Sequence, residues 1–149
     1  MCGIVGYVGN KECQKIILGS LERLEYRGYD SSGIATIEHD QLQLCRAVGK
    51  LSELKVKIKE KPVSGCMGIG HIRWATHGGV TEANAHPHLA NSEVAIVHNG
   101  IIENYVELKK DLIEKGCVFM SDTDSEVLAH LFAHAFREGC LPVEALRFV

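Results

Sequence analysis

A cysteine stands directly after the initiator methionine, and this position allows it a catalytic role that the other cysteines lack. Because the initiator methionine is removed when the next residue is small, we expect the mature chain to begin at Cys2. The free α-amino group would then have a pKa of about 7.7 to 8.0, which suits a base at neutral pH. One residue would supply both a thiol nucleophile and the group that accepts its proton.

A polar segment follows a predicted strand at positions 71–79 and carries groups suited to substrate binding. The planar guanidinium of Arg73 can bind both oxygens of a carboxylate. Trp74, Thr76 and His77 add an indole, a hydroxyl and an imidazole within the next four positions. The alternative interpretation is an ordinary polar loop in which Trp74 anchors the core.

Two further motifs each allow a structural and a catalytic interpretation. Asn99-Gly100 is the commonest hairpin-turn dipeptide, yet an amide followed by a backbone N–H can also form an oxyanion hole. Asp124 lies in an acidic, hydroxyl-rich segment typical of a helix N-terminus, yet its carboxylate could receive an ammonium group. Together with Arg73 and Cys2, these groups fit a free amino acid with a side-chain amide, either glutamine or asparagine.

Hydrophobic periodicity predicts the strands and helices that must position these residues. The strands are expected over 4–8, 34–38, 42–48, 67–72, 94–98 and 117–120, and the helices over 13–26, 51–58, 105–116 and 125–138, with another helix starting near Leu141. His39-Asp40 is expected to join two strands as a hairpin. The long stretch from Arg73 to Ser92 lacks periodicity, and such loops inside compact domains are usually functional or disordered.

Composition restricts the class of protein. The chain has 149 residues and a formal charge of -3, which fits one domain and excludes nucleic-acid binding through a broadly basic surface. No apolar run is long enough to span a bilayer, and no CxxC pair or other convincing metal site occurs among the six cysteines and eight histidines. We therefore expect a cytoplasmic protein without metal, cofactor, membrane or nucleic-acid partner.

Taken in order, the motifs resemble those of class II glutamine amidotransferases. The matching segments are Cys2-Gly3-Ile4-Val5-Gly6, Tyr26-Arg27-Gly28-Tyr29-Asp30-Ser31, Arg73-Trp74-Ala75-Thr76-His77-Gly78, Asn84-Ala85-His86-Pro87-His88, His98-Asn99-Gly100-Ile101-Ile102-Glu103-Asn104 and Thr123-Asp124. The resemblance covers the whole chain and implies that residues 1–149 are the N-terminal part of one glutaminase domain. It also implies an α+β fold, the αββα sandwich of the N-terminal nucleophile hydrolases, with two stacked antiparallel sheets between helix layers.

The resemblance further implies a role for each matching residue. Cys2 would attack the glutamine amide and form a glutamyl thioester, and Asn99 and Gly100 would form the oxyanion hole. Arg73 would bind the α-carboxylate and Asp124 the α-ammonium group. The residues expected to line, close or support the pocket are Trp74, Thr76, His77, His86 and Arg27.

The segments 26–30, 73–78 and 84–88 are specific to the branch of the family that makes glucosamine 6-phosphate from fructose 6-phosphate. The resemblance therefore implies that a separate isomerase domain, missing here, receives the ammonia, and that the full-length enzyme is a homo-oligomer. Two alternatives remain, the glutaminase domain of amidophosphoribosyltransferases and a non-catalytic module that keeps the scaffold. Since the family domain continues beyond Val149, we expect the sandwich to be incomplete at its C-terminus, with apolar faces exposed.

Overall fold

The computed structural model describes residues 2–75 and 78–149, so that Met1, Thr76 and His77 lie outside the described residues. The described residues form six strands and five α-helices, with one 3-10 turn at Glu25–Arg27. In chain order the elements are β1 (Gly3–Val8), α1 (Cys13–Leu24), β2 (Ser31–Glu38), β3 (Gln41–Val48), α2 (Leu51–Glu60), β4 (Met67–Arg73), β5 (His88–Ala90), β6 (Val94–Ile96), α3 (Tyr105–Glu114), α4 (Glu126–Arg137) and α5 (Pro142–Phe148).

The larger sheet is antiparallel and has the strand order β1-β4-β2-β3. β1 and β4 run in opposite directions with Gly3 opposite Ile72, so the start of β1 lies beside the end of β4. β2 and β3 form the expected hairpin, in which His39 and Asp40 both have positive φ angles of 49° and 60°. Two consecutive left-handed residues give a turn whose twist matches that of the flanking strands.

One face of this sheet is covered by α1 and α2. Ile17 and Leu21 recur at helical spacing along α1 and are fully buried, and Leu54 of α2 joins them in the same core cluster. On the sheet side, Ile34 and Ile72 point into this cluster. Because side chains alternate along a strand, the residues next to these in the sequence point to the opposite face.

That opposite face meets a second, two-stranded antiparallel sheet made of β5 and β6. Ala35 and Ile69 of the larger sheet line the space between the sheets together with Val94 and Ile96 of β6. α4 packs against the outer side of the small sheet through Ala129 and Ala133. The layers therefore run helix, sheet, sheet, helix, which is the α+β sandwich expected from the sequence.

The small sheet covers only part of the inner face of the large one. Ile4 and Val8 of β1 are 41% and 79% exposed, and Met67 beside them is 42% exposed. Apolar residues on a strand face usually indicate that something packs there. An exposed apolar face was expected from the sequence, and it lies at the β1 edge of the sandwich.

Two expectations about local structure are wrong. Residues 117–120, expected to be a strand, form no regular element, and Val118 and Met120 are 70% and 72% exposed. Conversely, the stretch from Arg73 to Ser92 contains β5, which periodicity did not reveal because it is only three residues long.

Within the described residues, no helix has the length and apolar character needed to cross a membrane.

Candidate active site

The sulfur of Cys2 lies against the end of β4. The backbone N–H of Trp74 donates a hydrogen bond to Cys2 Sγ over 3.2 Å, and Sγ also lies 3.5 Å from the Trp74 carbonyl oxygen. Both contacts follow from the antiparallel pairing of β1 and β4. This register places Gly3 opposite Ile72, so Cys2, which precedes Gly3, lies beside the residues that follow Ile72. The thiol is therefore held by backbone groups rather than by a flexible side chain.

Asp30 fixes the backbone that holds this sulfur. Its N–H donates to the Arg73 carbonyl oxygen over 3.1 Å, and its Oδ2 accepts the N–H of Ala75 over 2.8 Å. These bonds clamp the peptide of Trp74 from both sides. The Trp74 indole packs edge-on against the Tyr29 ring with a centroid distance of 5.6 Å, so the motif around Asp30 supports both the backbone and the side chain of Trp74.

Arg73 is only 5% exposed, although it is charged. Burial lowers its pKa, while Cys2, Asp30 and Asp124 oppose that shift because negative charge near a guanidinium favours its protonated form. Its Nη1 donates to the Gly79 carbonyl oxygen over 3.1 Å. The guanidinium thus reaches the pocket from a strand end and is oriented by the loop that follows.

Asn84 connects the two segments that carry the charged groups of the site. Its amide nitrogen donates to the same Gly79 carbonyl oxygen over 3.1 Å, and its Oδ1 accepts the N–H of Asp122 over 2.9 Å. The side chain is fully buried. It therefore ties the loop that orients Arg73 to the segment that carries Asp124.

Three histidines pack together beneath the pocket. The rings of His71 and His86 stack with a centroid distance of 4.3 Å, and His88 meets His86 edge-on at 4.3 Å. Burial lowers the pKa values of His71 and His88 to about 4 and that of His86 further still. At neutral pH this cluster is uncharged, because each buried ring would lose solvation on protonation. The positive charge of Arg73 also lowers all three pKa values, and for His88 these effects outweigh the opposing charge of Glu126.

The backbone of His86 lies directly against the backbone of β2 in the large sheet. A Cβ atom built on Gly33 of β2 would lie 2.1 Å from the His86 carbonyl oxygen, so only glycine fits there. On the neighbouring strand, Arg46 Nη1 donates to the carbonyl oxygens of Ala83 and Ala85 over 3.2 and 3.1 Å. The loop that contains His86 is thus held down on the large sheet at several points.

Asn99 and Gly100 lie at the rim of the pocket. Asn99 Oδ1 lies 2.8 Å from Nε2 of the buried His71. After Gly100 the chain runs into α3 rather than into a strand paired with β6, so the hairpin interpretation of Asn99-Gly100 does not describe this structure. The dipeptide is a loop that faces the cavity.

Asp124 is held at the entrance of α4 but does not cap it. The N-cap residue is Ser125, which makes no side-chain capping bond. Asp124 Oδ2 instead accepts the N–H of Ile102 over 2.8 Å, and its Oδ1 accepts the Ser125 hydroxyl over 3.2 Å. The carboxylate is thereby oriented by the segment that follows Asn99 and Gly100.

Glu126 supports the segment that carries Asp124. Its carboxylate is 1% exposed and accepts the backbone N–H groups of Met120 and Ser121 over 2.8 and 2.7 Å, with His130 Nε2 at 3.7 Å. Burial by itself raises the pKa of this carboxyl, but His130, the Ser121 hydroxyl and the two N–H groups outweigh burial and lower it to about 2. Glu126 lies in the first turn of α4, where the acidic segment was expected to begin a helix, and its carboxylate is also a buried acceptor.

Replacing Glu126 with glutamine should remove a pH-dependent part of the stability. Since the folded pKa of about 2 lies below the usual 4.5, the carboxylate stabilises the fold above pH 4.5, and this stabilisation is lost as pH falls towards 2. By linkage the contribution at neutral pH is roughly 3 kcal/mol. Urea unfolding of both proteins at pH 7, 4 and 3 should show a difference in free energy that shrinks with acidity. A difference that stays constant with pH would contradict this assignment.

A cavity of about 560 Å³ brings these groups together, which is within the size range of small-molecule sites. All the described residues that the sequence singled out line it, namely Cys2, Arg27, Arg73, Trp74, His86, Asn99, Gly100 and Asp124. Thr76 and His77, the other two, lie outside the described residues. The lining also includes His98, Ile101, Thr123 and Ser125, which were given no role from the sequence, although the first three lie within the matching segments and Ser125 follows Asp124.

Comparison with known proteins identifies the relatives of this chain. A family model described as a glutamine amidotransferase domain matches residues 71–145. Relatives named glutamine–fructose-6-phosphate aminotransferase (isomerizing) are 57% identical in Mesorhizobium japonicum and 54% identical in Bartonella quintana. The matches cover 97% and 99% of this chain but only 24% of each relative, so the chain spans about a quarter of their length.

Solved structures match the same family at lower sequence identity. The glutamine phosphoribosylpyrophosphate amidotransferase of B. subtilis matches with a TM-score of 0.79 and 29% identity, over 99% of this chain and 33% of that one. A structure described as the allosteric regulatory enzyme of purine biosynthesis matches with a TM-score of 0.74 and 30% identity. The resemblance inferred from the motifs and the α+β fold are both confirmed.

Proposed function

The chain belongs to the glutamine amidotransferase family, and on that premise we propose that it hydrolyses the side-chain amide of glutamine with Cys2 as the nucleophile. The observation that carries the proposal is the single cavity that places the Cys2 thiol, the Arg73 guanidinium and the Asp124 carboxylate together with Asn99. A nucleophile, a cation, an anion and an amide donor are the four groups that a free amino-acid amide requires.

The charged groups select the substrate. Arg73 binds the α-carboxylate, and Asp124, already oriented by the Ile102 N–H, binds the α-ammonium group. The side-chain amide then points at Cys2. Trp74, whose indole is 43% exposed at the rim, closes the pocket, and Arg27 and His86 support its walls. For Thr76 and His77, pocket roles stay predictions.

The first chemical step is thioester formation. After removal of Met1, the α-amine of Cys2 takes the thiol proton, and the sulfur attacks the amide carbon. The oxyanion that forms accepts hydrogen bonds from the Asn99 amide and the Gly100 N–H. The proton then passes from the α-ammonium group to the departing nitrogen, the C–N bond breaks, and ammonia leaves a glutamyl thioester on Cys2.

The second step releases glutamate. The α-amine, free again, takes a proton from water while the oxygen attacks the thioester carbonyl, and the same two donors stabilise the oxyanion. Collapse of this intermediate breaks the C–S bond and returns the proton to sulfur. The net reaction converts glutamine and water into glutamate and ammonia.

We further propose that this domain is the N-terminal part of a longer enzyme, like its relatives, and supplies ammonia for synthesis of glucosamine 6-phosphate from fructose 6-phosphate. We expect that enzyme to be a homo-oligomer. The names of the 57% and 54% identical relatives support that substrate. The six cysteines are all free thiols, which supports a reducing, cytoplasmic location because disulfides form in oxidising compartments.

The two alternatives have less support. An amidophosphoribosyltransferase domain fits the solved structures, but those are 29% and 30% identical, well below the aminotransferase relatives. A non-catalytic module would have no reason to keep the thiol, the buried arginine and the carboxylate around one cavity.

Replacing Arg73 or Asp124 with alanine should weaken glutamine binding by about 10- to 100-fold, the loss expected for one charge-assisted contact. In the turnover that remains, KM should be higher than in the parent protein and kcat should change little. A glutamine analogue without its α-ammonium group separates the two roles. Asp124→Ala should change the affinity for this analogue little, whereas Arg73→Ala should weaken it as much as for glutamine. Titration calorimetry and a glutamate-release assay measure both effects.

Matched controls remove the same charges outside the site. Arg137→Ala breaks an exposed pair with Glu93, and Asp111→Ala changes an exposed position of α3. Both controls should bind glutamine like the parent. Equal binding of glutamine by Arg73→Ala, Asp124→Ala and the controls would contradict the proposed substrate.

A further inference from the structure

A buried histidine lies directly behind the proposed oxyanion donor. His71 occupies β4, is 1% exposed, and places its Nε2 atom 2.8 Å from Oδ1 of Asn99. Asn99 itself is exposed at the rim of the cavity. A side chain on a loop is thus anchored to a side chain on the central sheet, across 28 positions of sequence.

The direction of this hydrogen bond decides which end of the Asn99 amide faces the substrate. If His71 Nε2 carries the proton, it donates to Oδ1 and the amide NH₂ group remains available to the cavity. If Nδ1 carries the proton instead, Nε2 must accept from the amide, and the carbonyl oxygen of Asn99 faces the cavity. Only the first arrangement can stabilise an oxyanion, since a carbonyl oxygen would repel it.

The surroundings of His71 favour the first arrangement. Its Nδ1 atom is buried and has no hydrogen-bond partner among the described residues. A proton on Nδ1 would be a buried donor without an acceptor, and orphaned buried N–H groups are rare because they cost free energy. Burial also keeps the ring neutral, with a pKa of about 4.

The ring cannot easily turn away from Asn99. It stacks on His86 with an interplanar angle of 19°, and His86 in turn contacts His88. His88 Nε2 is 2.9 Å from the Thr123 hydroxyl, which anchors the far end of the stack beside Asp124. The three rings therefore form a rigid support for one hydrogen bond at the rim.

We propose that His71 is a positioning residue that donates its Nε2 proton to Asn99 and so aims the Asn99 amide group at the oxyanion. This inference rests on the proposed glutaminase function. It makes His71 necessary for the oxyanion hole although His71 touches no substrate. The histidine cluster is thus part of the catalytic apparatus through Asn99.

The test compares two replacements at position 71. Methionine has a similar volume but no donor, whereas glutamine can place an amide N–H near the position of Nε2. We expect His71→Met to lower kcat by about 10- to 100-fold with KM nearly unchanged, as part of the loss expected for a missing oxyanion donor. His71→Gln should restore most of this loss. Equal kcat in His71→Met and the parent would overturn the proposal.

A double-mutant cycle separates positioning from a general structural effect. In an Asn99→Ala background His71→Met should have little further effect on kcat, because the group it positions is gone. A full additional loss in that background would overturn the proposal. If Asn99→Ala alone leaves kcat unchanged, the oxyanion assignment itself is wrong and the role of His71 falls with it. If Asn99→Ala is impaired and His71→Met is not, only the present inference fails.

A measurement on the parent protein does not depend on any variant folding. Nitrogen-15 NMR of the imidazole rings distinguishes the two neutral tautomers. We expect the His71 ring at neutral pH to carry its proton on Nε2. A proton on Nδ1 would overturn the proposal, even if every variant at position 71 proved unstable.

Discussion

Replacing Cys2 with serine should lower glutamine hydrolysis by at least about 10³-fold, the largest effect of any single change in this chain. A hydroxyl in place of the thiol keeps the size of the side chain, and the Trp74 N–H can still donate to it. The loss therefore comes from chemistry, because an unactivated hydroxyl is a far poorer nucleophile than a thiolate. A glutamate-release assay measures turnover, and calorimetry with glutamine shows that binding survives.

Cys66 provides the control for this experiment. It is an exposed thiol that lies at the far end of β4 from the site, so Cys66→Ser should hydrolyse glutamine at the parent rate. A diazoketone analogue of glutamine should add one mass equivalent to the parent, on Cys2, and intact mass should show that Met1 is absent. Labelling of Cys66 with Cys2 untouched would contradict the assignment of the nucleophile.

The elements that the sequence predicts correctly are those in which local pattern and tertiary packing agree. Ile17 and Leu21 repeat at helical spacing, and both are fully buried beneath the sheet. His39 and Asp40 separate two apolar runs, and both adopt the left-handed conformation that a tight hairpin needs. These elements are specified by residues that are neighbours in the chain, so a single sequence is enough to predict them.

The errors occur where an element depends on a distant partner. Residues 117–120 have strand-forming side chains, but a strand requires a neighbouring strand, and none of the described elements pairs with them. Phe119 instead packs against His130, with a centroid distance of 4.4 Å. β5 is three residues long and exists because it pairs with β6 across a turn at Asn91 and Ser92.

The same distinction applies to the site. Cys2, Arg73 and Asp124 could be chosen because their chemistry suits a substrate directly. Asn84 and His71 could not be assigned roles from sequence, since the role of each depends on a contact with a residue 28 or more positions away, Asp122 for Asn84 and Asn99 for His71. Groups that touch a substrate are predictable from residue type, whereas groups that hold them in place become visible only in the fold.

Replacing Asn99 with alanine should lower kcat by about 10² to 10³-fold while KM changes little, because an oxyanion donor acts mainly in the transition state. Asn99→Asp is a stricter test. Aspartate keeps the shape of asparagine and the oxygen that accepts the His71 Nε2 proton. The amide group that would donate to the oxyanion is replaced by a carboxylate oxygen, whose negative charge faces the oxyanion. We therefore expect Asn99→Asp to be at least as slow as Asn99→Ala, although its contact with His71 survives.

Asn104 supplies the control, because it is an exposed asparagine in the same segment and makes no side-chain capping bond at the start of α3. Asn104→Ala should keep the parent kcat. Steady-state assays over a range of glutamine concentrations give kcat and KM separately for all four proteins. An unchanged kcat in Asn99→Ala would reduce Asn99-Gly100 to a loop without catalytic function, whereas loss of kcat in both alanine variants would indicate a structural effect. Loss at position 99 alone, deepened by aspartate, is the result that a donor to the oxyanion requires.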